Sequence, residues 1–230
     1  MTPAQWQTII LTLLVATTAV VASLPVAIGV GWLLAKQQFP GKYLVETVVN
    51  LPLVMPPVVT GYLLLVAFGR RGVLGPWLEA ALGLRFVFDW KGAALASAVV
   101  GFPLMVRPIR QAFAAVDERL IHAARSLGAK PWDAFWHVTL PLALPGVLSG
   151  SVLAFARSMG EFGATIMIAG NIPGETRTIS LYVYSQLDAP GGFVNAYPMI
   201  LISIAIAALA LFAGDVLDRY GQRRLLGTGA

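Results

Sequence analysis

Long apolar runs separated by short basic stretches set the pattern of this chain. The first run, Thr8 to Ala35, holds no charged side chain. Others cover Thr47 to Phe68, Gly92 to about Val106, about Leu140 to Ala169, and Val194 to Ala213. A helix needs about 20 mostly apolar residues to cross a bilayer, so the pattern predicts about five transmembrane helices. The third run is short, and its residues read on as helix past the apolar stretch. Barrel strands would alternate over segments of about ten residues, and these runs do not. Met1 to Gln7 carry no basic side chain, so the first run is expected to be a retained span and not a cleaved signal peptide.

Composition agrees with the pattern. The chain is 57% hydrophobic and 12% charged over 230 residues, against roughly a quarter charged in a soluble domain. A soluble fold would expose large apolar patches. The net charge of +5 is spread between the apolar runs, which argues against nucleic acid as a partner. Cysteine is absent, and His122 and His137 are too far apart to suggest a metal site, so no metal is expected. Lys and Arg favour the cytoplasmic side. With the C-terminus inside, Lys36, Lys42, Arg107, Arg110, Arg119, Arg125, Lys130, Arg219, Arg223 and Arg224 fall inside, ten against five outside. The expectation is an all-α membrane protein, N-out and C-in, forming one transmembrane domain over 1–230.

The stretch 117–139 departs from the pattern. Leu120, Ala123, Ala124 and Leu127 fall at i, i+3, i+4 and i+7, one apolar face of a short helix. Glu118, His122 and Arg125 share the opposite face. Gly128 is a helix stop, and Pro131 suits the first turn of a second short helix with the stripe Trp132, Phe135, Trp136 and Thr139. This reads as a cytoplasmic helix-turn-helix. On residues alone, it could lie on lipid headgroups or dock a partner.

The order Ala123-Ala124, three residues, Gly128, nine residues, Val138, one residue, Leu140-Pro141 resembles the EAA loop of ABC importer permeases. His122 stands where that family has glutamate, and Glu118, one turn earlier on the same face, is the expected substitute. Three further segments resemble molybdate permeases within the wider molybdate, tungstate and sulfate group: Leu51 to Tyr62, Gly160 to Thr165, and Asn171 to Ile179. The resemblance implies a type I importer permease whose loop couples to ATPase subunits. It also implies a homodimer, two cytoplasmic ATPase subunits that hold ATP and Mg, an extracytoplasmic oxyanion-binding protein, and the bacterial inner membrane. The chain has no phosphate-binding loop and no nucleophile–base arrangement, so it is expected to bind no cofactor and to catalyse no chemistry.

Candidate path residues keep two readings each. Asn50 and Thr60 flank three prolines and either line a path or pack between helices. Arg157 and Glu161, four apart within a span, form either a gate or bracing pair, or a self-neutralising structural pair. Arg107 and Arg110 are either positive-inside anchors or a cationic vestibule for a dianion. Gly146, Gly150, Ala154 and Ser158 make a small-residue ridge for helix packing. The competing functions are a sulfate or thiosulfate permease and an ATP-independent secondary transporter. The latter would need inverted repeats and coupling carboxylates.

Overall fold

In the computed structural model, residues 1–187, 189 and 191–225 are described, with side-chain surroundings described as far as Val216. Arg219, Arg223 and Arg224, counted in the charge balance, therefore have side chains outside that description. Every regular element is helical among the described residues. Helix α1 (Pro3–Lys36) opens with a capping box: Gln5 N–H donates to Thr2 Oγ1 at 3.3 Å and Thr2 N–H to Gln5 Oε1 at 2.9 Å. Both orphan donors are thereby satisfied.

The second apolar run forms two helices, α2 (Lys42–Val54) and α3 (Pro57–Phe68), bent by 113° at Met55–Pro56. The physical cause is in the residues. Pro56 and Pro57 bring no N–H to a helix, and Met55, forced out of the helical region by the following proline, is extended at φ −70° and ψ 143°. The reading of Thr47 to Phe68 as one straight span is corrected accordingly. The pair still joins two ends of the molecule. Glu46 in α2 meets Arg110, and Phe68 at the end of α3 stacks edge-on against Phe86, 5.3 Å between centroids. Those contacts flank α5 (Trp90–Ala115) at positions about 30 Å apart along the helix axis. A broken span connects both sides, whereas a re-entrant loop would return to one.

The short α4 (Gly75–Leu82) precedes α5, whose N-cap Asp89 accepts a hydrogen bond from Lys91 N–H at 2.9 Å. Helix α5 runs nine residues past Val106, as the pattern predicted, and buries Ala96, Val100, Met105, Ile109 and Phe113. It lies between α1 and α8 (Leu140–Met159), at distances only small residues permit. A Cβ on Gly31 would stand 2.6 Å from Ile109 Cγ2, and one on Gly146 2.7 Å from the Pro108 carbonyl oxygen. The glycine ridge of the fourth run is a packing surface.

Helices α6 (Glu118–Ser126) and α7 (Pro131–Ala134) precede α8, and a π-turn over Phe135–Thr139 joins α7 to it. The fourth run does not continue unbroken to Ala169. It breaks over Gly160–Phe162 before α9 (Gly163–Ala169). Helix α10 (Ile179–Gln186) and the long α11 (Gly192–Leu225) complete the chain. Four helices among the described residues are long and apolar enough to cross a membrane, and the bent pair makes five.

Candidate coupling loop and polar contacts

The loop between α5 and α8 is built by local chemistry. Asp117 caps α6, accepting from Arg119 N–H at 2.9 Å. The helix closes through bonds from Leu127 N–H to the Ala123 carbonyl (3.1 Å) and from Ala129 N–H to the Ala124 carbonyl (3.1 Å). Gly128 sits at φ +95° with open space around its missing Cβ. The left-handed conformation, and not crowding, is what requires glycine here.

The orientation of α6 is the informative part. Leu120 is 49% and Leu127 90% exposed, and Ala123 is exposed beside them. The side turned to the protein carries Ile121 and Ala124, both half-buried, and the polar face stays exposed at the rim of a cavity. Glu118, His122 and Arg125 line a cavity of about 390 Å³ with Lys36, Trp32 and Thr139. Lys36 Nζ donates to the Val116 carbonyl at 2.9 Å and lies 3.6 Å from Glu118 Oε1, which stays 70% exposed. A helix folded onto its own protein would bury the leucines, so this one is turned for an apolar partner.

The second helix of the loop is not a separate short one. It runs from Pro131 to Met159, 29 residues, through the π-turn. Leu140 N–H bonds to the Phe135 carbonyl, and Pro141, with no N–H of its own, follows at once. A wider turn is a natural accommodation of that missing donor. It also scatters the expected stripe. Thr139 is buried and Phe135 half-buried, while Trp132 and Trp136 are exposed. Leu140 is half-buried and Pro141 exposed, at the junction of loop and span.

The candidate path residues divide. Asn50 Nδ2 donates to the Glu46 carbonyl at 2.7 Å, and its Oδ1 accepts from Arg107 Nε at 2.9 Å. One turn away, Arg110 Nη2 lies 2.8 Å from Glu46 Oε1. Arg110 is thus neutralised locally, whereas Arg107 is held by a neutral amide. Thr60 is only 5% exposed within α3, beside the Gly61 that approaches α9, and is not presented on an open face. Arg157 Nη1 pairs with Glu161 Oε2 at 2.8 Å, and Glu161 Oε1 accepts from Ala164 N–H at 2.9 Å. That carboxylate, 2% exposed, ties the end of α8 to the start of α9 across the break.

The motif segments converge. A Cβ on Gly61 would lie 2.6 Å from the Ala164 carbonyl oxygen, and one on Gly163 2.9 Å from Pro57 Cβ, so the first two segments form one contact. In the third, Ile172 N–H donates to Thr176 Oγ1 (2.9 Å) and Arg177 Nε to Asn171 Oδ1 (2.8 Å). Ile179 N–H then donates to Thr12 Oγ1 of α1 at 2.9 Å. Sequence reasoning did not find Glu46, Lys36 or Thr12. The four-residue spacing of Glu46 and Asn50 beside the three-residue spacing of Arg107 and Arg110 was the available signal for the first. Among the described residues, no three His, Cys, Asp or Glu gather as a metal site.

Four helices and one bent pair long and apolar enough to cross a membrane, with an amphipathic helix in one loop, define a polytopic helical membrane protein. The chain belongs to the family of binding-protein-dependent transport system inner membrane components, which matches residues 27–226. It is 52% identical over 224 residues to the molybdenum transport system permease protein ModB of Escherichia coli K12, covering 97% of this chain and 98% of that one. It is 36% identical over 206 residues to the sulfate transport system permease protein CysW of Synechococcus elongatus, covering 88% and 71%. The fold is similar to that of a bacterial alginate ABC transporter solved in complex with an alginate-bound periplasmic protein. That match has a TM-score of 0.74 at 19% identity and covers 100% of this chain and 82% of that one.

Proposed function

We propose that this chain is the membrane-spanning permease of an ATP-driven importer that carries molybdate or tungstate into the cytoplasm. The observation that carries this reading is near full-length identity of 52% to a molybdenum permease, with sulfate relatives more distant at 36%. Two copies would form the path in the bacterial inner membrane, N-out and C-in. Two ATPase subunits would dock on the cytoplasmic side, and an oxyanion-binding protein would deliver from outside. ATP and Mg belong to the ATPase; this chain binds no cofactor and leaves the anion unchanged.

The loop geometry supports the energetic part. Helix α6 offers Leu120, Ala123 and Leu127 outward, while Lys36 holds Glu118 and an unbroken helix carries the loop into α8. Displacement of α6 by an ATPase would therefore move α1 and α8 together. Glu118 substitutes for the family glutamate, with enough exposure to reach a partner.

The deciding experiment is uptake in proteoliposomes holding the permease, ATPase and binding protein. ATP-dependent molybdate uptake that persists in a large sulfate excess supports the proposal. Uptake lost to sulfate makes it a sulfate permease, and uptake without ATP makes it a secondary transporter. Leu127→Asp is expected to abolish ATPase co-purification, and Glu118→Ala to weaken it. Unchanged binding in both removes α6 as the docking element.

A further inference from the structure

A second cavity adjoins the polar one beneath α6. It measures about 630 Å³ and is walled by Leu24, Ile28, Trp32, Trp132, Trp136 and Leu140. Both cavities share Trp32, Pro131 and Phe135, so they meet along one aromatic wall. That wall is ordered by ring contacts: Trp132 stacks on Phe135 at 5.7 Å between centroids, and Trp32 meets Phe135 edge-on at 5.9 Å. Gly29, also lining the groove, has nothing within 4 Å of the place a Cβ would take, which leaves that side open.

The two compartments differ in chemistry. The groove is apolar and bounded by α1 on one side and the Pro131–Leu140 segment on the other. The adjoining cavity carries Lys36 and Arg125 against the single carboxylate of Glu118. Arg125 makes no ion pair or side-chain hydrogen bond among the described residues, and Lys36 spends one donor on the Val116 carbonyl. A basic pocket beside an apolar slot at a membrane boundary fits an anionic head on an acyl chain. Tryptophans at that level match the interfacial preference of their rings.

We infer that this pair of adjoining cavities binds an anionic phospholipid, its phosphate held by Lys36 and Arg125 and one acyl chain lying against Trp132 and Trp136. The groove's wall on α1, from Leu24 to Trp32, lies within the first uncharged run, where an acyl chain and not a soluble partner is at hand. The bound lipid would lie between α1, α6 and α8, the elements that carry the loop. The inference rests on the membrane-spanning reading and not on which anion is transported.

The test uses the permease–ATPase complex, with Trp6, Trp77 and Trp90 changed to Phe, in phosphatidylcholine nanodiscs. A minor fraction of lipid carries brominated acyl chains, on either phosphatidylglycerol or phosphatidylcholine. The expected result is stronger tryptophan quenching by the brominated phosphatidylglycerol, with local enrichment of about fivefold for one net basic charge. Lys36→Gln with Arg125→Gln should erase the difference. If that double variant does not fold, Arg125→Gln alone should shrink it, since the Arg125 side chain makes no ion pair or hydrogen bond among the described residues. Equal quenching by the two lipids overturns the inference. Quenching by neither also does, because a second copy or the ATPase then covers the groove. A difference removed by inorganic phosphate at matched ionic strength overturns it too, in favour of a soluble-anion site.

Discussion

The stack of α1, α5 and α8 is held by close packing throughout, whereas the broken regions combine one close approach, α3 against α9 at Gly61 and Gly163, with polar contacts. In the stack, glycines bring backbones together, and the large buried side chains are Val15, Met105, Ile109 and Phe113, with Thr8, Thr12, Ser97 and Ser158 buried among the helices without any ion pair between them. Around the breaks, α2 buries no residue at all, and the contacts are Arg110 to Glu46, Arg107 to Asn50, and Arg157 to Glu161. Lipid supplies no hydrophobic drive between helices, so close packing is what fixes the stack. Polar contacts at the breaks can exchange partners with water or with another chain. The contrast assigns rigidity to one region and rearrangement to the other.

The largest effect that tests this contrast is expected at the α8–α9 break. Arg157→Gln leaves a carboxylate that is 2% exposed without its cation, a loss of about 3–5 kcal/mol if the site stays closed to water. Glu161→Gln should cost clearly less. Arg157 is one-third exposed and can be solvated, and the glutamine oxygen can still accept from Ala164 N–H. Thermal melting in detergent, alongside uptake, measures both. Equal losses would show that the pair only neutralises itself and does not brace the break.

Next in size is the stack itself. A Cβ at Gly150 would lie 2.5 Å from the Met105 carbonyl oxygen, so Gly150→Ala must push α5 and α8 apart, at about 1–3 kcal/mol. Gly29→Ala is the control, with open space and a helix-propensity gain of about 1 kcal/mol. A lowered melting temperature for the first and an unchanged or raised one for the second is the expected result. If Gly150→Ala is harmless, the stack is not held by close approach.

Legibility in the sequence followed the same division. The unbroken helices α1, α5 and α11 were readable, because a long uncharged run has one sensible fate in a bilayer. The first helix of the loop and the turn after it were readable too, since Gly128 and Pro131 act on their own neighbours. The breaks were not. Proline positions mark where a helix is weakened, but whether Met55–Pro56 bends by 113° or merely kinks depends on what α9 offers at Gly163. Glu46 and Arg110 lie 64 positions apart, beyond any periodicity. The outward turn of α6 was unreadable for a related reason. An amphipathic stripe says which residues share a face and not which way that face points.

The smallest effect is expected between α2 and α5, and its smallness is informative. Side chains of Glu46 and Arg110 are 22% and 39% exposed, so their pairing is worth at most about 1 kcal/mol and should weaken with salt. A double-mutant cycle with Glu46→Gln and Arg110→Gln reads that coupling from melting temperatures. A value near zero makes α2 an arm that other contacts, or a second copy, must position. A coupling of several kcal/mol would mean that α2 is locked to α5 as firmly as α8 is. The rearranging region would then shrink to α3 and α9, and the break at Met55–Pro56 would be its hinge.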